Sequence, residues 1–132
     1  MDKLGRLKTE NEINTTLLIN NLCEDVHESN KNWWVDLESG LPLKRNVPEM
    51  LMLVVSELAE AMEGHRKNLK DDKLPWRSML EVELADALIR IFDMAAGLEL
   101  DLGGAFVEKM IFNAQREDHK LEHRRAENGK KY

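Results

Sequence analysis

The run EVELADALIRIFD, from Glu81 to Asp93, constrains this chain more than any other stretch. Counted at about 100° per residue, its Val, Leu, Ile, Ala and Phe residues cover most of a helical circumference, and Glu83, Asp86, Arg90 and Asp93 share one narrow stripe. A helix that is apolar nearly all round is a buried helix. A bare carboxylate buried with it costs several kcal/mol even after relaxation, so something must stand opposite these acids.

A second run, PEMLMLVVSELAEAMEGHRK, repeats the pattern. Glu57 lies among Met50, Leu53, Ala61 and Gly64 on the wheel, with Glu60 about 60° to one side. Side chains three apart on a helix share a face, so the couples Glu57 with Glu60 and Glu83 with Asp86 converge if the two helices pack antiparallel. Four carboxylates in one crevice repel and raise one another's pKa unless cations neutralise them. Glu57, Glu60, Glu83 and Asp86 are therefore the expected metal ligands. An all-oxygen set suits Mg²⁺ or Mn²⁺, whereas zinc and copper recruit His or Cys. A di-iron site would need two Glu-x-x-His units, and only Glu24-x-x-His27 is present. A lone ExxE is commonly just part of a solvated helix face; what favours ligation is its pairing on two apolar helices.

Helical periodicity dominates the rest of the chain, and strand signals are nearly absent. The pattern predicts a first helix from about Thr9 to about Asn32. A punctuated stretch with Gly40, Pro42 and Pro48 follows, and Pro48 opens a second helix running to Arg66 or Lys67. The third starts at Pro75 or Ser78 and ends at Ala96, with Gly97 as a left-handed cap. The fourth begins near Gly104 and fades into a charged tail over residues 118–132. Four helices with short connections predict an all-α fold: an antiparallel four-helix bundle in one domain of 132 residues. One chain can hardly cover so apolar a third helix, so a homodimer or homotetramer is expected.

The formal net charge of −6 speaks against a nucleic-acid polymer as partner, which would demand a basic stripe. A small anion remains open, because a bound metal inverts the local field. The single cysteine, Cys23, rules out an internal disulfide and suits a reducing compartment. The polar start and the short MLMLVV run predict neither a signal peptide nor a membrane span. A cytoplasmic protein is expected.

Glu57-Leu58-Ala59-Glu60 followed by Glu83-Leu84-Ala85-Asp86 resembles the ExxE and ExxD signature of the MazG-like all-α nucleoside-triphosphate pyrophosphohydrolases, which include dimeric dUTPases and dCTP pyrophosphatases. The likeness runs from about Asn30 to the C-terminus, through Gly97, LDLGGAFVEKMIFNAQR and the closing GKKY. Many members open the first motif with two adjacent acids; here Ser56 takes the earlier place. The resemblance implies hydrolysis between the α and β phosphates of a nucleoside triphosphate, giving a monophosphate and pyrophosphate. It also implies Lys109 and Asn113 as substrate contacts, with Arg116 near them. Glu57 or Glu60 is the expected catalytic base.

Lys109, Asn113, Arg116 and Lys120 form one ridge, which spacing alone also fits to a solvated face. Trp33 and Trp34, about 100° apart on a continuing helix, cannot both face one spot; one can pack while the other stacks on a base. The four histidines are read as surface residues. Two other readings compete: a non-enzymatic helical interaction module with a structural acidic metal site and, within the enzymes, a phosphoribosyl-ATP pyrophosphohydrolase.

Overall fold

The structure is a computed structural model that describes Arg6 and residues 8–132. Its long helices are α1 (Glu10–Ser29), α2 (Val47–Arg66), α3 (Met79–Gly97) and α4 (Leu102–Gln115), followed by the short α5 (Leu121–Arg125). Single 3₁₀ turns occupy Lys31–Trp34 and Glu117–His119. Among the described residues the only β pairing is two isolated bridges, Val35 with Pro42 and Lys70 with Ser78. The fold is all-α, as the periodicity predicts. No helix among the described residues is long and apolar enough to cross a membrane.

Local chemistry sets most helix starts. The Asn46 side chain accepts from Glu49 N at 3.0 Å and caps α2, with Pro48 in the first turn. Ser78 and Glu81 form a reciprocal capping box at the start of α3. Thr9 and Glu12 do the same for α1, at 3.2 and 2.9 Å. The ends are less local. Glu99 (φ 57) and Asn68 (φ 52), not glycines, take the left-handed position after α3 and α2. Each closes a Schellman pair, Leu100 N to Ala95 O at 2.8 Å and Leu69 N to Gly64 O at 2.9 Å.

Gly97 is thus not the left-handed cap expected of it. It is the last residue of α3, and a Cβ there would lie 2.3 Å from Cη2 of Trp34. The position is glycine because an indole ring packs on it. The charged tail also differs from expectation: α5 forms within it, and the Arg124 guanidinium donates to the Lys130 carbonyl at 3.1 Å and to that of Lys131.

The chain divides into two compact units, Asn21–Leu100 and the described residues up to Asn20 with Asp101–Tyr132. In the first, α2 and α3 pack along their length. They run antiparallel: Gly64 abuts Met79 near one end, and Glu57 meets Arg90 further along. Small residues are buried on both helices, Ala61 and Gly64 on α2 and Ala87 and Ala95 on α3. The outward faces stay apolar. Leu51, Val55, Leu58 and Met62 form an i, i+4, i+7, i+11 stripe on α2, with Met62 60% exposed, and Leu84 and Leu88 are exposed on α3.

In the other unit, Asp101 caps α4 through Gly104 N at 2.9 Å, and Asn20 donates to the same carboxylate while accepting from Gly103 N at 2.8 Å. A Cβ on Gly103 would lie 2.3 Å from the Thr16 carbonyl oxygen, so only glycine lets α4 approach α1 there.

Candidate metal centre

The antiparallel pairing of α2 and α3 carries the acidic couples toward each other. Glu57, Glu60 and Glu83 each offer a carboxylate oxygen, and these oxygens all lie within 4.8 Å of one another, a spacing fit for a metal ion. Glu83 is 7% exposed, and its Oε2 has no hydrogen-bond partner. An orphaned buried oxygen incurs its full desolvation penalty, which a bound cation would relieve. Burial first, then a hydrogen bond with the Glu57 carboxyl and the charges of Glu60, Glu57 and Asp86, push the Glu83 pKa up to about 7. Three carboxylate oxygens at this spacing could hold a metal ion.

Asp86, the fourth expected ligand, stands outside that trio of mutually close oxygens and lines a cavity beside Glu57. Its pKa is raised, by burial first and then by the Glu57 charge, with Arg90 acting in the opposite direction. Arg90 was not among the expected site residues. Its Nε donates to Glu57 Oε1 at 2.7 Å, so one ligand of the trio already has a protein counter-charge. The signal was present: Arg90 is the one cation in the acidic stripe of α3.

Asp93 resolves differently. It shares the stripe with Glu83 and is equally buried, at 7% exposed. Yet His27 Nδ1 donates to its Oδ1 at 2.8 Å, and Trp34 Nε1 donates to Oδ1 and Oδ2 at 3.0 and 3.1 Å. The reading of His27 as a plain surface residue is corrected here, because its ring is half-buried and bound to Asp93.

A cavity of ≈ 530 Å³ opens along this part of the helix pair, with Glu57, Asp86, Arg90, Asp93, Arg45 and Trp33 in its wall. The two adjacent tryptophans part company, as their angular separation requires. Trp34 packs edge-on to His27, with ring centroids 5.0 Å apart, and carries the Arg45 guanidinium 5.3 Å above its ring. Trp33 is 73% exposed at the cavity.

The expected substrate contacts on α4 belong to the other unit. Lys109 lies 4.8 Å from the Phe112 ring centroid. Arg116 Nε donates to Asp118 Oδ1 at 2.9 Å. Asn113 Oδ1 is buried without a hydrogen-bond partner. Lys109 is exposed and Arg116 half-buried.

Set against protein-family models, curated proteins and solved structures, the chain matches none of them.

Proposed function

We propose that this chain is a divalent-metal-dependent nucleoside-triphosphate pyrophosphohydrolase of the MazG-like kind, releasing a nucleoside monophosphate and pyrophosphate. The observation that carries the reading is the unpartnered, buried Oε2 of Glu83 within the trio of acids. The cavity lined by Glu57 and Asp86 supports a small-molecule substrate, since ≈ 530 Å³ is of the size small-molecule sites have.

Glu57, Glu60 and Glu83 would hold Mg²⁺ or Mn²⁺, with Asp86 beside them. A bound divalent ion supplies neutralisation of the triphosphate and acidification of water. Glu60 is exposed and has no ion-pair partner among the described residues, whereas Glu57 Oε1 is engaged by Arg90. Glu60 is therefore the better placed of the two to accept the proton of an attacking water. Arg90 keeps further N–H donors for a phosphate oxygen, in the fork geometry that suits bidentate grip.

The exposed stripe Leu51, Val55, Leu58 and Met62 supports a second copy of the chain as its cover, completing a four-helix arrangement in a homodimer or homotetramer. A buried free thiol at Cys23 goes with a cytoplasmic setting. The same stripe, with the Glu57–Arg90 pair, also favours the second reading, a helical interaction module without activity. Pyrophosphate release from a panel of ribo- and deoxynucleoside triphosphates, with Mg²⁺, with Mn²⁺ and with chelator, decides between them. Chelator-sensitive release is expected; its absence across the panel sinks the enzymatic reading.

A further inference from the structure

The cavity has a second buried acid that the metal reading does not use. Asp93 lies seven residues beyond Asp86 on α3, which at 1.5 Å per residue sets it about 10 Å further along the same face. Both line the cavity, and Arg90 lies between them. That order, acids, then guanidinium, then acid, parallels a mononucleotide laid along the helix, with phosphates toward Glu57 and Asp86 and the base toward Asp93.

The Asp93 carboxylate is fixed in place rather than exhausted. His27 and Trp34 aim two N–H groups at it, one of them shared between its oxygens. A carboxylate has about four acceptor positions, so Oδ2 keeps capacity toward the cavity. In the wall of the same cavity, Trp33 leaves 73% of its surface open, which suits stacking against a flat ring.

We propose that the cavity with Trp33 and Asp93 in its wall takes a nucleobase bearing an exocyclic amino group, with Asp93 accepting from that group and thereby disfavouring uracil and thymine. The inference rests on the nucleotide reading above and deepens it. Cytosine and adenine present an NH₂ where uracil and hypoxanthine present a carbonyl. A fixed carboxylate accepts from the first and repels the lone pairs of the second. Rejection by mispaired polar groups is the strongest discrimination a small site can build.

The test compares isosteric pairs, CTP with UTP and ATP with ITP, by kcat/KM for pyrophosphate release. The native protein should favour the amino member of each pair by about tenfold or more. Asp93→Asn, whose amide both donates and accepts, should bring both ratios toward one, whereas Trp33→Ala should weaken all four substrates and leave the ratios standing. Equal use of the paired substrates by the native protein overturns the inference. So does an Asp93→Asn variant that lowers all four rates by one common factor, since that marks a purely structural acid. If Asp93→Asn does not fold, the native ratios decide alone. If no nucleotide is hydrolysed, the functional reading fails by itself, and calorimetric affinities of the same four nucleotides with Mg²⁺ decide the base preference: equal affinities overturn it.

Discussion

Glu83 and Asp93 sit ten residues apart on α3, in one polar stripe and at the same 7% exposure, yet they are opposite kinds of buried acid. Asp93 is met by an imidazole and an indole N–H. Glu83 is met by other carboxylates and has an oxygen that nothing answers. A charge paired within the fold contributes to holding the fold together, and removing it leaves donors stranded. A charge surrounded by its own sign costs stability until a ligand arrives. Burial alone therefore does not tell a satisfied acid from an unsatisfied one on this helix; the sign and supply of neighbours does.

Activity should show the contrast most strongly. Glu83→Gln preserves size and removes charge, so pyrophosphate release should fall by about 10³-fold or more, in the range lost when a key electrostatic group is removed, with helix content by circular dichroism unchanged. Glu57→Gln, Glu60→Gln and Asp86→Asn should also depress release severely. Full activity in any two of the four would dissolve the site.

Stability should run the other way. Asp93→Ala strips the partner from His27 and Trp34 and should cost about 1 to 3 kcal/mol in chemical denaturation, the usual penalty for hydrogen-bonding groups left unsatisfied. Glu83→Gln in metal-free buffer should be neutral or stabilising, because it relieves repulsion. Equal losses in both variants would erase the distinction.

That distinction could not be read from the sequence, where both acids occupy the same stripe of EVELADALIRIFD. The residues that separate them lie far off in the chain: His27 is 66 residues from Asp93 and Trp34 is 59 away. Gly97 failed for the same reason, since its local signal is a helix stop and its actual constraint is the distant Trp34 ring. What is local was legible. The caps at Asn46 and Ser78 set helix starts within a residue of Pro48 and Ser78 in the pattern, and the i, i+3 spacing of acids on apolar helices already implied that Glu57, Glu60 and Glu83 converge.

Proton and metal should compete at Glu83. The folded Glu83 pKa of about 7 lies above its ordinary 4.5, so between those values the folded chain holds the extra proton. Its stabilising contribution is complete below pH 4.5 and is lost as pH rises through about 7. Metal-free melting temperature should accordingly carry a component that declines over this window and vanishes in Glu83→Gln. Because ligation displaces the proton, the rise in melting temperature on adding Mg²⁺ or Mn²⁺ should be small at pH 5 and large at pH 8, where an ion at 100 times its Kd adds about 2.7 kcal/mol of stability. A metal shift equal at both pH values would mean that the ion binds elsewhere.

Arg90 lies between the two acids on α3 and should give the smallest effect, and the one that most sharpens the comparison. It pairs with Glu57 rather than Glu83, and its side chain is 40% exposed, so the pair is partly screened and should contribute less than about 1 kcal/mol. Arg90→Gln should lower the metal-free melting temperature only slightly. It also frees Glu57 Oε1 and removes a positive charge from the ligand trio, so divalent ions should bind more tightly and the metal-induced rise should exceed that of the native protein. At the same time KM for nucleotide should increase, because a phosphate-gripping guanidinium is gone. If metal affinity instead fell in Arg90→Gln, the guanidinium would be orienting Glu57 for the ion rather than standing in for it, and the stripe would contain two acids held by the protein and not one.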